Sequence, residues 1–133
     1  MRRAHQWAVF HFHDTHGRHV TPVQYAILRA LQDQPGIDQV TLAQRVALDT
    51  STTADIAARL ETKGWILRHI LPRRQRSLYL TDQGTALLAE MLPRVEAMYA
   101  RILEPLSPPE QAELLRLLGK LTATEHPSSP SPD

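Results

Sequence analysis

The chain contains no cysteine, which excludes disulfides, thiolate metal sites, iron–sulfur clusters and a cysteine nucleophile. Aromatic residues make up only 5% of it and glycines number five, none of them in a phosphate-cradling loop. No nucleophile stands beside a base and no paired carboxylates share a motif, so catalysis is not expected. No apolar run approaches the roughly 20 residues of a membrane span, and the N-terminus lacks the basic-then-apolar pattern of a secretory signal. The expectation is a cytoplasmic protein with no membrane partner.

The residues that are present describe a globular chain. At 133 residues, 42% hydrophobic and 22% charged, it suits one domain of ordinary size with a real core. The net charge of +1 conceals a strong asymmetry. Residues 1–58 hold five Arg and five Asp, while residues 59–76 hold Arg59, Lys63, Arg68, Arg73, Arg74 and Arg76 against Glu61 alone. The remainder is acidic. A concentrated basic patch suits either a polyanion met by one face or a solvated surface loop.

Hydrophobic spacing and capping signals divide the chain further. Residues 3–16 read as a helix carrying Ala4, Trp7, Ala8, Val9 and Phe12, stopped at Gly17. Thr21-Pro22-Val23-Gln24 is a capping box with proline at the first helical position. The helix it opens buries Ile27, Leu28 and Leu31 and ends at Pro35-Gly36. Asp38 caps a short third helix, and Ala47-Leu48-Asp49 connects it tightly to a fourth at about residues 50–63. Ile56, Ala57 and Leu60 form the expected buried stripe of this fourth helix, and Gly64 its left-handed stop.

From Trp65 the pattern becomes a β-hairpin with a basic tip at residues 72–77. Thr81-Asp82 starts a long helix with a stripe from Leu88 to Leu103, and Pro93 is expected to kink it. Ser107-Pro108-Pro109-Glu110 opens a leucine-rich last helix. The proline- and serine-rich end is expected to be disordered. The predicted organisation is residues 1–20, an N-terminal helix; 21–81, a lobe of short helices and a hairpin; 82–122, two long helices; and 123–133, a tail.

Two short helices followed by a hairpin spell a winged helix-turn-helix: mainly α with a small β-hairpin wing, and helices for dimerisation at both ends. The second helix of the pair enters the major groove. With Ile56, Ala57 and Leu60 inward, Ser51 and Asp55 point outward, flanked by Thr52 and Arg59. Ser51 and Thr52 suit bases or phosphates, Asp55 a cytosine amine and Arg59 a guanine edge or phosphate. The hydroxyls serve equally as simple helix caps. Arg73, Arg74 and Arg76 on the hairpin suit the minor groove and its phosphates.

These segments, above all Leu42-Ala43-Gln44-Arg45-Val46, Leu48-Asp49-Thr50-Ser51-Thr52-Thr53, Arg59-Leu60-Glu61-Thr62-Lys63-Gly64-Trp65 and Leu80-Thr81-Asp82-Gln83-Gly84, together resemble the MarR family of bacterial winged-helix regulators. The resemblance implies a homodimer on a pseudo-palindromic double-stranded DNA operator, relieved by a small ligand, often an aromatic carboxylate or phenol. Two departures stand out: Pro72 replaces an expected acid before Arg73-Arg74, with a hairpin about two residues short, and Asp55 replaces a residue often basic. The long helical stripe and the leucine-rich last helix also offer more apolar surface than one winged helix covers, in keeping with a dimer.

Five histidines, His5, His11, His13, His16 and His19, crowd into the first 19 residues. They admit two readings. Trp7, His11, Phe12, Arg18 and Tyr25 line the family's ligand crevice, rings enclosing an aromatic acid and Arg18 or a histidine pairing its carboxylate. Alternatively, His13 and His16 hold a metal with His19 or Asp14, making a metal-responsive regulator. The reading favoured here is a ligand-responsive repressor with an aromatic-acid effector, no resident cofactor and no metal. A sequence-nonspecific DNA binder is the remaining alternative.

Overall fold

Residues 1–123 are described in the computed structural model; residues 124–133 of the expected disordered tail, and the side chain of Arg74, lie outside what is described. Six helices and three short strands follow in order: α1 (Arg2–His16), α2 (Pro22–Asp33), β1 (Ile37–Asp38), α3 (Gln39–Arg45), α4 (Thr50–Thr62), β2 (Ile66–Ile70), β3 (Arg76–Leu80), α5 (Asp82–Leu103) and α6 (Pro108–Ala123). A one-turn 3-10 helix, Pro72–Arg74, joins β2 to β3.

Local chemistry sets most of these boundaries. Thr21 Oγ1 accepts from the Gln24 backbone N–H while the Gln24 side chain accepts from that of Thr21, each at 3.1 Å. Asp38 caps α3 through the Thr41 backbone N–H at 3.1 Å. Asp49 caps α4 through that of Thr52, and Thr53 Oγ1 donates back to the Asp49 carbonyl at 2.9 Å. Gly17 and Gly64 take positive φ where α1 and α4 stop, a conformation glycine adopts without steric cost.

The hairpin gains a third strand that periodicity did not reveal. β1 pairs antiparallel with β3, Ile37 opposite Leu78, giving the order β1-β3-β2. Two residues are too few to show alternation, and the pairing joins segments far apart in sequence. In α4 the buried stripe is Thr53, Ala57 and Leu60, with Ile56 only half-buried. Thr53 is buried because its hydroxyl is satisfied within its own helix.

Two compact units result, the first spanning Met1–Met98. Its core joins Ile27, Leu28 and Leu31 of α2, Leu42 of α3, Leu60 of α4 and Ile66 and Leu78 of the sheet, with Leu88, Met91, Val95 and Met98 of α5 also buried. The second unit contains the end of α5 and α6. Its turn is closed by the Gln111 side-chain amide, which donates to the Leu103 and Leu106 carbonyls at 3.0 Å. Ser107 and Glu110 form the expected reciprocal cap. α6 buries no residue, and Leu115, Leu117, Leu118 and Leu121 are exposed. Among the described residues, no helix is long and apolar enough to cross a membrane.

Candidate nucleic-acid interface and ligand crevice

On α4, Ser51, Thr52, Asp55 and Arg59 are all exposed, on the side away from Thr53, Ala57 and Leu60. The Asp49 carboxyl, beneath the first turn, is held below its usual range by hydrogen bonds from Thr52. It stays ionised there, keeping the cap intact at the end of the helix that faces outward.

The last turn of α4 is anchored from two sides. Glu61 accepts from the Arg68 backbone N–H at 3.2 Å and from its guanidinium at 3.0 Å, tying helix to wing. Lys63 Nζ donates to the His19 carbonyl at 3.3 Å and sits 4.7 Å over the Trp65 ring, whose edge the His19 ring meets at 5.3 Å. In the sequence, Lys63 and Arg68 count simply as part of a basic patch. Their packing and ion-pairing roles are not legible there, because the His19 carbonyl lies 44 residues from Lys63 and Glu61 lies beyond the turn that precedes Arg68.

The wing is an antiparallel pair in which Ile66, Arg68 and Ile70 face Leu80, Leu78 and Arg76. Arg73 is exposed at the tip and takes φ 69°, a left-handed conformation that costs a non-glycine residue about 1–2 kcal/mol. Arg76 is exposed at the start of β3. The structure thus sets Arg73 and Arg76 on the same hairpin; the side chain of Arg74 lies outside the described residues.

The predicted crevice residues divide. His11 and Phe12 are buried and Tyr25 half-buried, with Phe12 4.7 Å from the His16 ring and 6.0 Å from that of Tyr25. Trp7 packs its edge against His11 at 4.6 Å yet remains 56% exposed, stacked on the equally exposed Phe10. Arg18 does not join them. The positive φ of Gly17 ends α1 and leaves Arg18 exposed on the turn beyond. The cation that bears on this region is Arg94 of α5, which adds to burial in holding the His16 ring below its ordinary proton affinity. No local signal marked Arg94, since it reaches His16 only through the fold.

Both ring nitrogens of His11 and of His16, together with Thr15 Oγ1, are buried without a hydrogen-bond partner. Buried polar atoms left unsatisfied cost about 1–3 kcal/mol each, so several in one place are unusual. For a metal the arrangement is poor: among the described residues no three His, Asp or Glu side chains converge on a common point, and His13 Nδ1 lies 3.2 Å from the Gly17 carbonyl.

The chain is similar to known proteins in sequence and in fold. The MarR family pattern matches residues 20–78. The transcriptional regulator HosA of Escherichia coli O111:H- is 35% identical over 104 residues, 77% of each chain. Among solved structures, the PcaV transcriptional regulator of Streptomyces coelicolor in complex with its natural ligand superposes with a TM-score of 0.86 at 32% identity, covering 94% of this chain and 90% of that one. BpsR of Bordetella bronchiseptica, whose DNA binding is regulated by 6-hydroxynicotinic acid, gives 0.82 at 30% identity over 91% and 89%.

Proposed function

The chain belongs to the MarR family of transcriptional regulators, DNA-binding proteins rather than enzymes, and on that premise we propose that it is a homodimeric repressor released from its operator by a small aromatic acid. The observation that carries the effector reading is the set of orphaned polar atoms on His11, Thr15 and His16 of α1. A ligand bearing a ring and a carboxylate or phenol supplies what they lack. The ring packs against Phe12 and Tyr25, while its oxygens pair with the imidazoles and Arg94. The regulation of BpsR by 6-hydroxynicotinic acid supports the same chemistry.

DNA recognition is assigned to Ser51, Thr52, Asp55 and Arg59 in the major groove and to Arg73, Arg74 and Arg76 on the wing. The exposed leucines of α6 and the exposed Trp7 and Phe10 of α1 support burial against a second copy. A dimer would present two recognition helices to half-sites about 34–36 Å apart. Effector binding then acts by favouring a conformation with the wrong spacing, which requires different affinities for the two conformations.

The test is calorimetric titration with 6-hydroxynicotinic acid and simple benzoic acids, followed by release of the protein from a duplex obtained by in vitro selection. Replacing His11 by Leu should abolish ligand binding while leaving the unliganded protein as stable or more so, because an unsatisfied polar group gives way to an apolar one. Undiminished ligand binding in His11→Leu would refute the crevice.

A further inference from the structure

We propose that Ile70 at the wing tip reads the minor groove, selecting A·T over G·C pairs at the outer edges of the operator through an aliphatic contact set among arginines. This rests on the assignment of the wing to DNA made above and adds a residue that no basic-patch argument would find. Ile66, Arg68 and Ile70 alternate onto one face of the hairpin, opposite Leu80, Leu78 and Arg76. Two observations show that this face looks toward the recognition helix. Arg68 binds Glu61 of α4, and Arg76, behind the Arg68 hydrogen bond, helps hold the Glu61 carboxyl below its usual range.

Along that face burial runs out toward the tip. Ile66 and Leu78 are wholly buried, whereas Ile70, about 13 Å farther along the strand at roughly 3.3 Å per residue, is 74% exposed. The tip continues with exposed Leu71 and Pro72. Single exposed apolar residues are ordinary, but three in succession on a short hairpin need a function. Arg76 is the ladder partner of Ile70 and Arg73 is exposed on the same hairpin, and their charge suits a narrow, electronegative groove.

The chemistry favours A·T pairs. Their minor-groove floor offers only acceptors, adenine N3 and thymine O2, whereas a G·C pair adds the guanine amine as a donor. Arginine has donors and no acceptor, and isoleucine has neither. A guanine amine beneath this tip would therefore lose water and gain no partner, while A·T acceptors are served by the arginines.

The experiment uses the full chain and a duplex enriched by in vitro selection on the wild type. The outer A·T pairs are replaced by G·C and, separately, by inosine·C, which lacks the guanine amine but keeps the G·C major-groove pattern. The wild type should lose about tenfold in affinity on G·C, the scale of a mismatched base pair, and recover it on inosine·C. Ile70→Ser should lose most of that discrimination, and Ile70→Val should keep it. Because Ile70 is exposed, both variants should retain the wild-type melting temperature.

Wild-type discrimination in Ile70→Ser, or a wild type indifferent to the substitutions, would overturn the proposal. So would a change in oligomeric state with DNA discrimination intact, which would make the tip a protein contact. A wild type that selects no duplex at all would remove the DNA assignment itself, and the tip contact with it.

Discussion

The carboxylate of Glu61 grips Arg68 twice, through its backbone N–H and its guanidinium, so the last turn of α4 and the first strand of the wing, β2, are fastened to each other. The Arg68 side chain is mostly buried, 16% exposed against 39% for Glu61, so Glu61→Ala leaves a largely desolvated guanidinium without its acceptor and should cost about 1–3 kcal/mol by chemical denaturation. Locally, amide exchange at Arg68 should accelerate clearly, because its N–H loses the Glu61 acceptor. Unchanged exchange at that amide would show that the wing is held by the sheet alone.

Gly84 marks where α5 docks. A Cβ there would lie 2.1 Å from the Trp65 carbonyl oxygen, which accepts from the Thr81 backbone N–H at 3.0 Å. Thr81 Oγ1 donates to the Gly64 carbonyl at 2.6 Å and accepts from the Gly84 N–H at 3.0 Å. Gly84→Ala must push the helix start away from this network and should destabilise by about 2 kcal/mol or more. A denaturation midpoint equal to that of the wild type would contradict this close approach.

His16 should make stability depend on pH. Burial, and then Arg94, hold its pKa in the folded protein below the ordinary 6.5. As pH falls below 6.5 the unfolded chain takes up the proton first, so this contribution is present above that value and lost down to the lowered folded value. His16→Leu should show a shallower decline in melting temperature across that window. An identical decline would assign the slope to the other histidines.

Arg73 should reveal opposite effects on stability and on binding. Arg73→Gly relieves a left-handed residue at φ 69° and should stabilise by up to about 1 kcal/mol, the unfolded chain's added freedom offsetting part of the gain. The same change removes a cation from the wing and should flatten the dependence of log K on log salt by about one unit if one phosphate contact is lost. An unchanged slope would place Arg73 away from the DNA.

Features that depend on neighbours within four residues are legible in the amino-acid order itself. Thr21 with Gln24, Asp38, Gly64, Thr81 and Ser107 with Glu110 all act as their sequence contexts predict. The outward set Ser51, Thr52, Asp55 and Arg59 follows from helical spacing alone. The crevice is less completely legible. Phe12 and Tyr25 meet at 6.0 Å and His11 packs against Trp7 at 4.6 Å, but Trp7 stays mostly exposed and Arg18 is carried away by the turn at Gly17.

The amino-acid order alone determined the helix boundaries, the basic hairpin, the absence of thiol chemistry and the outward side of α4, because caps, periods and composition operate over short stretches of chain. Tertiary structure decided the β1–β3 pairing, the burial of Thr53, the Glu61–Arg68 clasp, the approach of Arg94 to His16 and the exposure of Ile70. Each of these depends on which distant segments close around a side chain, and that distance in space is set by packing of the whole core.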